Sequence, residues 1–313
     1  MSEKNEFSGC AATGIGSMPG GDAREAAKTV TGSFADGRGM PHLAELPARG
    51  PGTDMIGRTV GLLVDLYGHV EPSGWRISDR PGRDTRRARS WLGEDLDALE
   101  EFTQGYEGLL KVQAVGPWAL AAALELRGGE AMLADPGACR DLADSLAEGL
   151  RAHLADVRRR VPGATVALQL DEPSLTAVLR GCIRDGPTLV HSCAPEVPFA
   201  LLRRAGADGI AFDFSLLTER EEEAIGEAVE GGTHLFLGVV PSTDAATTAL
   251  SDPGGSVMGV RTLWSRLGLS PGTLAESVAI TPSCGLAGAS PAYARTALAH
   301  SARAAKSLAD NPE

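Results

Sequence analysis

Eight short runs rich in β-branched and apolar residues recur along this chain, each followed by a longer stretch with charges at helical spacing. They fall at Ala12–Ser17, His42–Leu46, Leu110–Val115, Thr165–Leu170, Thr188–Cys193, Gly209–Ser215, His234–Val240 and Val278–Cys284. Glu94–Phe102, Cys139–Arg159, Glu219–Val229 and Pro291–Leu308 read as helices between and after them. Strands alternating with helices imply a parallel sheet, either doubly wound or closed on itself. Eight repeats in 313 residues favour closure: a single-domain (β/α)8 TIM barrel over 1–313, with a flexible N-terminus over 1–10. Gly50–Arg83 adds a polar insertion with a short extra strand or turn at Pro72–Ser78, and Pro173–Pro187 leaves little room for a crossover helix.

Lys and Arg number 29 against 41 Asp and Glu, a net charge of −12. A field of that sign repels nucleic acid and anionic lipid, and aromatics at 4% offer few stacking platforms. No signal peptide opens the sequence, and its most apolar stretch, Val112–Leu126, is short and broken by Gly116 and Pro117. A cytoplasmic protein without nucleic-acid or membrane partners is expected. The cysteines (Cys10, Cys139, Cys182, Cys193 and Cys284) are too few for a disulfide scaffold, so each is a core thiol, a ligand or a nucleophile.

His191 and Cys193 are two apart at the end of the fifth strand, so both point to one face. Barrel active sites open at that end. The pair alone is equally a metal clip or a buried Cys beside an incidental His. Cys284 ends the eighth strand, and Asp213 interrupts an apolar run at the end of the sixth, where an unpaired carboxylate is costly. Given the barrel, His191, Cys193, Asp213 and Cys284 form an N/S/O set of the kind zinc takes tetrahedrally. Two thiolates and a carboxylate around Zn²⁺ make a weak Lewis acid but a suitable holder of a substrate thiolate. That chemistry is S-alkylation.

Thr13-Gly14-Ile15-Gly16-Ser17 ends the first strand, and its free N–H groups suit a carboxylate. Glu45 and Asp171 end the second and fourth strands and suit an ammonium group, with a solvated charge and a helix N-cap as their plainer alternatives. The arginines Arg76, Arg80, Arg83, Arg86, Arg87 and Arg89 read as a solvated helix face rather than a dock for an anionic tail. Trp118 reads as core, with stacking on a flat donor as the alternative.

Ile15-Gly16-Ser17, Glu45, Asp54-Met55, Gly116-Pro117, Gln169-Leu170-Asp171-Glu172-Pro173, His191-Ser192-Cys193, Asp213 and Pro282-Ser283-Cys284-Gly285-Leu286 occur in that order. This ordered set resembles the C-terminal catalytic barrel of cobalamin-independent methionine synthase, over nearly the whole chain. The resemblance implies zinc on His191, Cys193, Asp213 and Cys284. It implies a homocysteine carboxylate held by the N–H groups of Ile15 and Ser17, and its amino group by Glu45 and Asp171. The expected activity is methyl transfer to homocysteine from a 5-methyltetrahydrofolate. A corrinoid-bound methyl, another thiol acceptor, and a non-catalytic zinc- or ligand-binding barrel are the alternatives.

The departures are specific. Asp213 stands where the family usually has Glu. The family's His after strand seven is replaced by Leu237-Gly238-Val239-Val240-Pro241-Ser242, so no acid for the donor is identified; His234 begins that strand and is expected at the opposite end. Proton donation matters because the folate N5 leaves poorly without it.

Overall fold

The computed structural model describes residues 7, 12–34, 39–172, 187–204, 206–244, 250 and 252–312. Eight parallel strands form its wall: β1 Ala12–Thr13, β2 Gly39–Met40, β3 Gly108–Val115, β4 Ala164–Asp171, β5 Thr188–Ser192, β6 Gly209–Asp213, β7 His234–Val240 and β8 Val278–Pro282. Each pairs with its neighbour in sequence, and β1 lies between β2 and β8. The remaining gap between β2 and β3 is closed by backbone bonds from Lys111 N–H to Pro41 O (2.8 Å) and from Leu43 N–H to Lys111 O (2.9 Å). The fold is the expected (β/α)8 barrel.

The second strand is displaced. Regular pairing covers Gly39–Met40, while the run expected at His42–Leu46 joins the wall only through single bridges from His42 to Lys111 and from Glu45 to Ser17. Helices cover the outside where apolar stripes face the sheet: α1 Ala23–Ser33, α2 Met55–Leu62, α3 Arg83–Phe102, α4 Pro117–Ala123 and α5 Pro136–Arg160 in the first half. The second half adds α6 Phe199–Arg204, α7 Glu222–Glu230, α8 Pro253–Ser256, α9 Met258–Arg266, α10 Leu274–Ser277 and α11 Pro291–Asp310. Side-chain caps fix several starts; Asp22 accepts from Arg24 and Glu25, Asp135 from Gly137 and Ala138, and Ser290 from Tyr293.

The insertion after β2 holds more structure than its composition suggests. It contains α2 and a hairpin of Tyr67–Glu71 with Gly74–Ser78, extended by Leu124–Glu125. The arginine run is largely spoken for by the protein itself. Arg76 grips Glu125, Arg86 bonds Pro81 O, and Arg89 bonds Gly61 O and Leu63 O. Of residues 1–10 only Phe7 is described, and it is buried beneath β7 against Phe236. The short link expected over Pro173–Pro187 lies outside the described residues except for Pro187, as do Cys10 and Cys182. Among the described residues no helix is long and apolar enough to cross a membrane.

Paired residues on neighbouring strands face the same side of the wall, so the register fixes what fills the barrel. An apolar layer of Phe7, Met40, Ala167, Leu189, Ala211, Phe236 and Ala279 occupies the end where the strands begin. Above it, the inward positions of β3 and β4 become polar: Lys111, Gln113, Gln169 and then Asp171, all buried. The candidate site stands on this polar floor.

Candidate metal and substrate site

β5 carries His191 inward, and the register sets it beside Asp171 of β4 and Ala211 of β6. Cys193 follows at the strand end, and Cys284 lies just past β8. Gly285 makes the approach of that segment to β1 possible, because a Cβ there would sit 2.0 Å from Ser17 Oγ. The ligand atoms of His191, Cys193 and Cys284 all lie within 4.8 Å of one another. The two sulfurs share a contact of 3.7 Å. Cys284 is held below the ordinary thiol range, first by its bond with Cys193 and then by His191; Cys193 is pushed up by that same bond and by burial.

This donor set fits zinc on two counts. Two sulfurs about 2.3 Å from one tetrahedral zinc are separated by about 3.8 Å, close to the spacing of the cysteine pair. His191 Nδ1 is buried with no hydrogen-bond partner, a cost that a metal would remove.

Asp213 is not gathered with these three. Its Oδ1 accepts from Ser215 N–H at 2.9 Å and Ser215 Oγ at 2.7 Å, capping the turn Phe214–Leu216. Of the four residues expected from the sequence as a ligand set, the structure brings His191, Cys193 and Cys284 together and engages Asp213 with Ser215. The β5–β6 register stops at Ser192 and Phe212, and one step further would set Cys193 level with Asp213.

The residues expected to cradle an amino acid, Ile15, Ser17, Glu45 and Asp171, follow or end their own strands. The carbonyls of Ile15, Gly16 and Ser17 are all taken: Ile15 O by Lys111 Nζ (2.6 Å) and Gln169 Nε2 (3.0 Å), Gly16 O by Glu45 N–H (3.2 Å), and Ser17 O by Leu286 N–H (2.9 Å). Asp171 is buried, and its Oδ1 accepts from Gln169 Nε2 at 2.7 Å. Burial raises its pKa, opposed by His191 and Lys111. Glu45 is also buried, which pushes its carboxyl up to about 7 against the pull of Arg58, whose Nε lies 3.6 Å from Oε1. Arg58 in turn bonds Asp95, and Asp95 accepts from Arg49 at 2.6 Å.

Glu172 does work that the sequence did not assign to it. Its carboxylate accepts from Trp118 N–H at 3.1 Å and Ala119 N–H at 2.7 Å, capping α4. Trp118 is half-buried at that helix start. His234 lies at the opposite end of the barrel, buried with its ring 5.9 Å from Phe7 and 5.1 Å from Phe236, as expected. Lys111, Gln113 and Arg58 escaped the sequence reading. The first two left a signal, a Lys and a Gln at alternate positions of the otherwise apolar run Leu110–Val115.

The fold and this cluster define a class: a (β/α)8 barrel with a histidine and two cysteines converging where its strands end. No known family's sequence profile matches the chain, and no curated protein matches it in sequence. In structure it is similar to a B12-independent methionine synthase from Shewanella sp. W3-18-1, determined in complex with selenomethionine. The two share 13% identity over 96% of this chain and 98% of that one, with a TM-score of 0.65. At that identity the likeness establishes the fold.

Proposed function

We propose that this protein is a zinc-dependent methyltransferase that moves a methyl group to the thiol of homocysteine, giving methionine, with a 5-methyltetrahydrofolate as donor. The observation that carries this reading is the convergence of His191, Cys193 and Cys284 within 4.8 Å at the barrel mouth. The selenomethionine bound to the fold neighbour supports an amino acid of this size and shape. Zinc held by these residues would keep the substrate thiol ionised near neutral pH.

The protein's own groups then divide the remaining work. The N–H groups of Ile15 and Ser17 receive the carboxylate, and Glu45 and Asp171 the ammonium. Together they fix the sulfur for in-line attack. The S–CH3 bond forms as the donor's N–CH3 bond breaks, and the bonding pair passes to the donor nitrogen, which must gain a proton. Asp213, if released from Ser215, would be the fourth ligand that the resemblance implies.

A second reading keeps the acceptor and changes the donor. His234 is buried at the far end of β7, and the segment 237–242 carries no acid, which favours a corrinoid-bound methyl that leaves without a proton. X-ray absorption at the zinc edge, with and without L-homocysteine, tests the acceptor: a rise from two sulfur neighbours to three is expected. An unchanged count removes homocysteine and points to another thiol. Labelled methyl from methylfolate, its polyglutamate or methylcobalamin then identifies the donor. No labelled methionine from any of them would mean a non-catalytic zinc-binding barrel.

A further inference from the structure

Lys111 is buried in the centre of the barrel at 0% exposure, a position that a lysine occupies only with partners for its charge and donors. Its Nζ bonds Ile15 O at 2.6 Å and Gln169 Oε1 at 2.5 Å. The carboxamide of Gln169, equally buried, uses its nitrogen to bond the same Ile15 O at 3.0 Å and Asp171 Oδ1 at 2.7 Å. Two side chains from adjacent strands, β3 and β4, thus tie the segment after β1 to the carboxylate at the end of β4. Those are the two halves of the amino-acid cradle.

We infer that Lys111 and Gln169 are positioning residues that hold Ile15 and Asp171 as a single rigid receptor for the α-amino and α-carboxylate groups of the substrate. The inference rests on the homocysteine reading and deepens it, because neither residue touches the reacting sulfur. The logic is one of preorganisation. Ile15 offers a backbone N–H, whose direction is set by the peptide plane, and fixing its carbonyl fixes that plane. Asp171 presents one oxygen to Gln169, which orients the carboxylate and leaves the other oxygen for an ammonium donor. Lys111 sets the Gln169 carboxamide by occupying its oxygen, so the nitrogen must face Ile15 and Asp171. Replacing Lys111 frees the amide to flip and loosens both contacts at once.

The test is calorimetric titration of L-homocysteine, and of 4-mercaptobutyrate, which lacks the α-amino group, into the zinc-loaded full chain. The proteins are the unmodified chain, Lys111→Met and Gln169→Glu. The second variant keeps an acceptor for Lys111 Nζ and loses both N–H bonds, so it decides the matter if Lys111→Met does not fold. Each lost bond to a charged or buried partner weakens binding by about ten- to a hundredfold. The expected result is that loss for L-homocysteine and a smaller one for 4-mercaptobutyrate, so that the preference for the amino acid collapses while zinc content holds. A general loosening of the barrel would weaken both thiols alike. Variants that fold, retain zinc and keep the original preference overturn the brace alone. If the unmodified chain binds neither thiol, the homocysteine reading fails and the brace falls with it.

Discussion

Glu172 stands where residue 116 can carry no side chain. A Cβ on Gly116 would lie 2.1 Å from Glu172 Oε1, because that carboxylate is drawn over the start of α4 to accept from Trp118 and Ala119. Gly116→Ala therefore drives Glu172 off its donors and leaves the helix start uncapped. A loss of about 1–3 kcal/mol is expected in denaturant or thermal melting, from the cap and the overpacking together. An unchanged midpoint would show that Glu172 has room to move aside.

The cysteine pair and Asp213 should separate in a metal assay. Cys193→Ser and Cys284→Ser each remove a sulfur ligand, so zinc affinity should fall by more than about tenfold. Asp213→Ala should retain zinc through gel filtration, since its carboxylate is spent on Ser215. Loss of metal from this variant to the extent seen with the cysteines would make Asp213 an obligatory ligand.

Glu45 gives two pH effects of opposite sign. Its pKa rises from 4.5 to about 7 on burial, so the folded chain holds this proton more tightly than the unfolded one. Its contribution to stability is complete below the unfolded value and is lost as pH rises to the folded one, by about 1–3 kcal/mol. Recognition of an ammonium needs the ionised form, so affinity for L-homocysteine should climb across the same interval. Glu45→Gln should make both curves shallower, while Asp171, also raised by burial, and the ionisation of the substrate thiol keep part of the affinity slope. Glu172, raised to about 7 by its own burial, keeps part of the stability slope in that variant.

His234 should be dispensable for turnover. It packs between Phe7 and Phe236 beneath the polar floor. His234→Phe is expected to leave kcat within about twofold and to cost about 1–3 kcal/mol of stability, since the larger ring must fit a fully buried site. A large fall in kcat with normal zinc content would place a proton path through the barrel axis.

Most of the barrel was legible because its strands are apolar runs bounded by turns, although β1 is regular only over Ala12–Thr13, short of the expected Ala12–Ser17. β2 was not, since residues 41–46 hold the wall by single bridges rather than a ladder, and their apolar pattern looks like a strand all the same. α2 was missed for the opposite reason. Met55–Leu62 contains two glycines and β-branched residues with poor helix propensity, and it is secured by Asp54 accepting from Gly57 N–H and by packing against α3. At the site, strand parity placed His191 and Cys193 on one face, and the closed barrel brings both near Cys284. Parity could not foresee Asp213, because Asp-x-Ser is also a local turn, and a hydrogen bond two residues away competes with a distant ligand. Lys111 was invisible as a partner for Ile15 and Gln169, since those residues meet only once the wall has closed.

The layer formed by Phe7, Phe236 and their neighbours acts as a stopper. With that end plugged, the described residues leave the ends of the strands as the doorway to His191, Cys193 and Cys284. Under the function proposed above both reactants would pass that doorway, so the amino acid would have to be seated before the methyl carrier covers it. On that reading the order of addition would follow from the plumbing of the barrel.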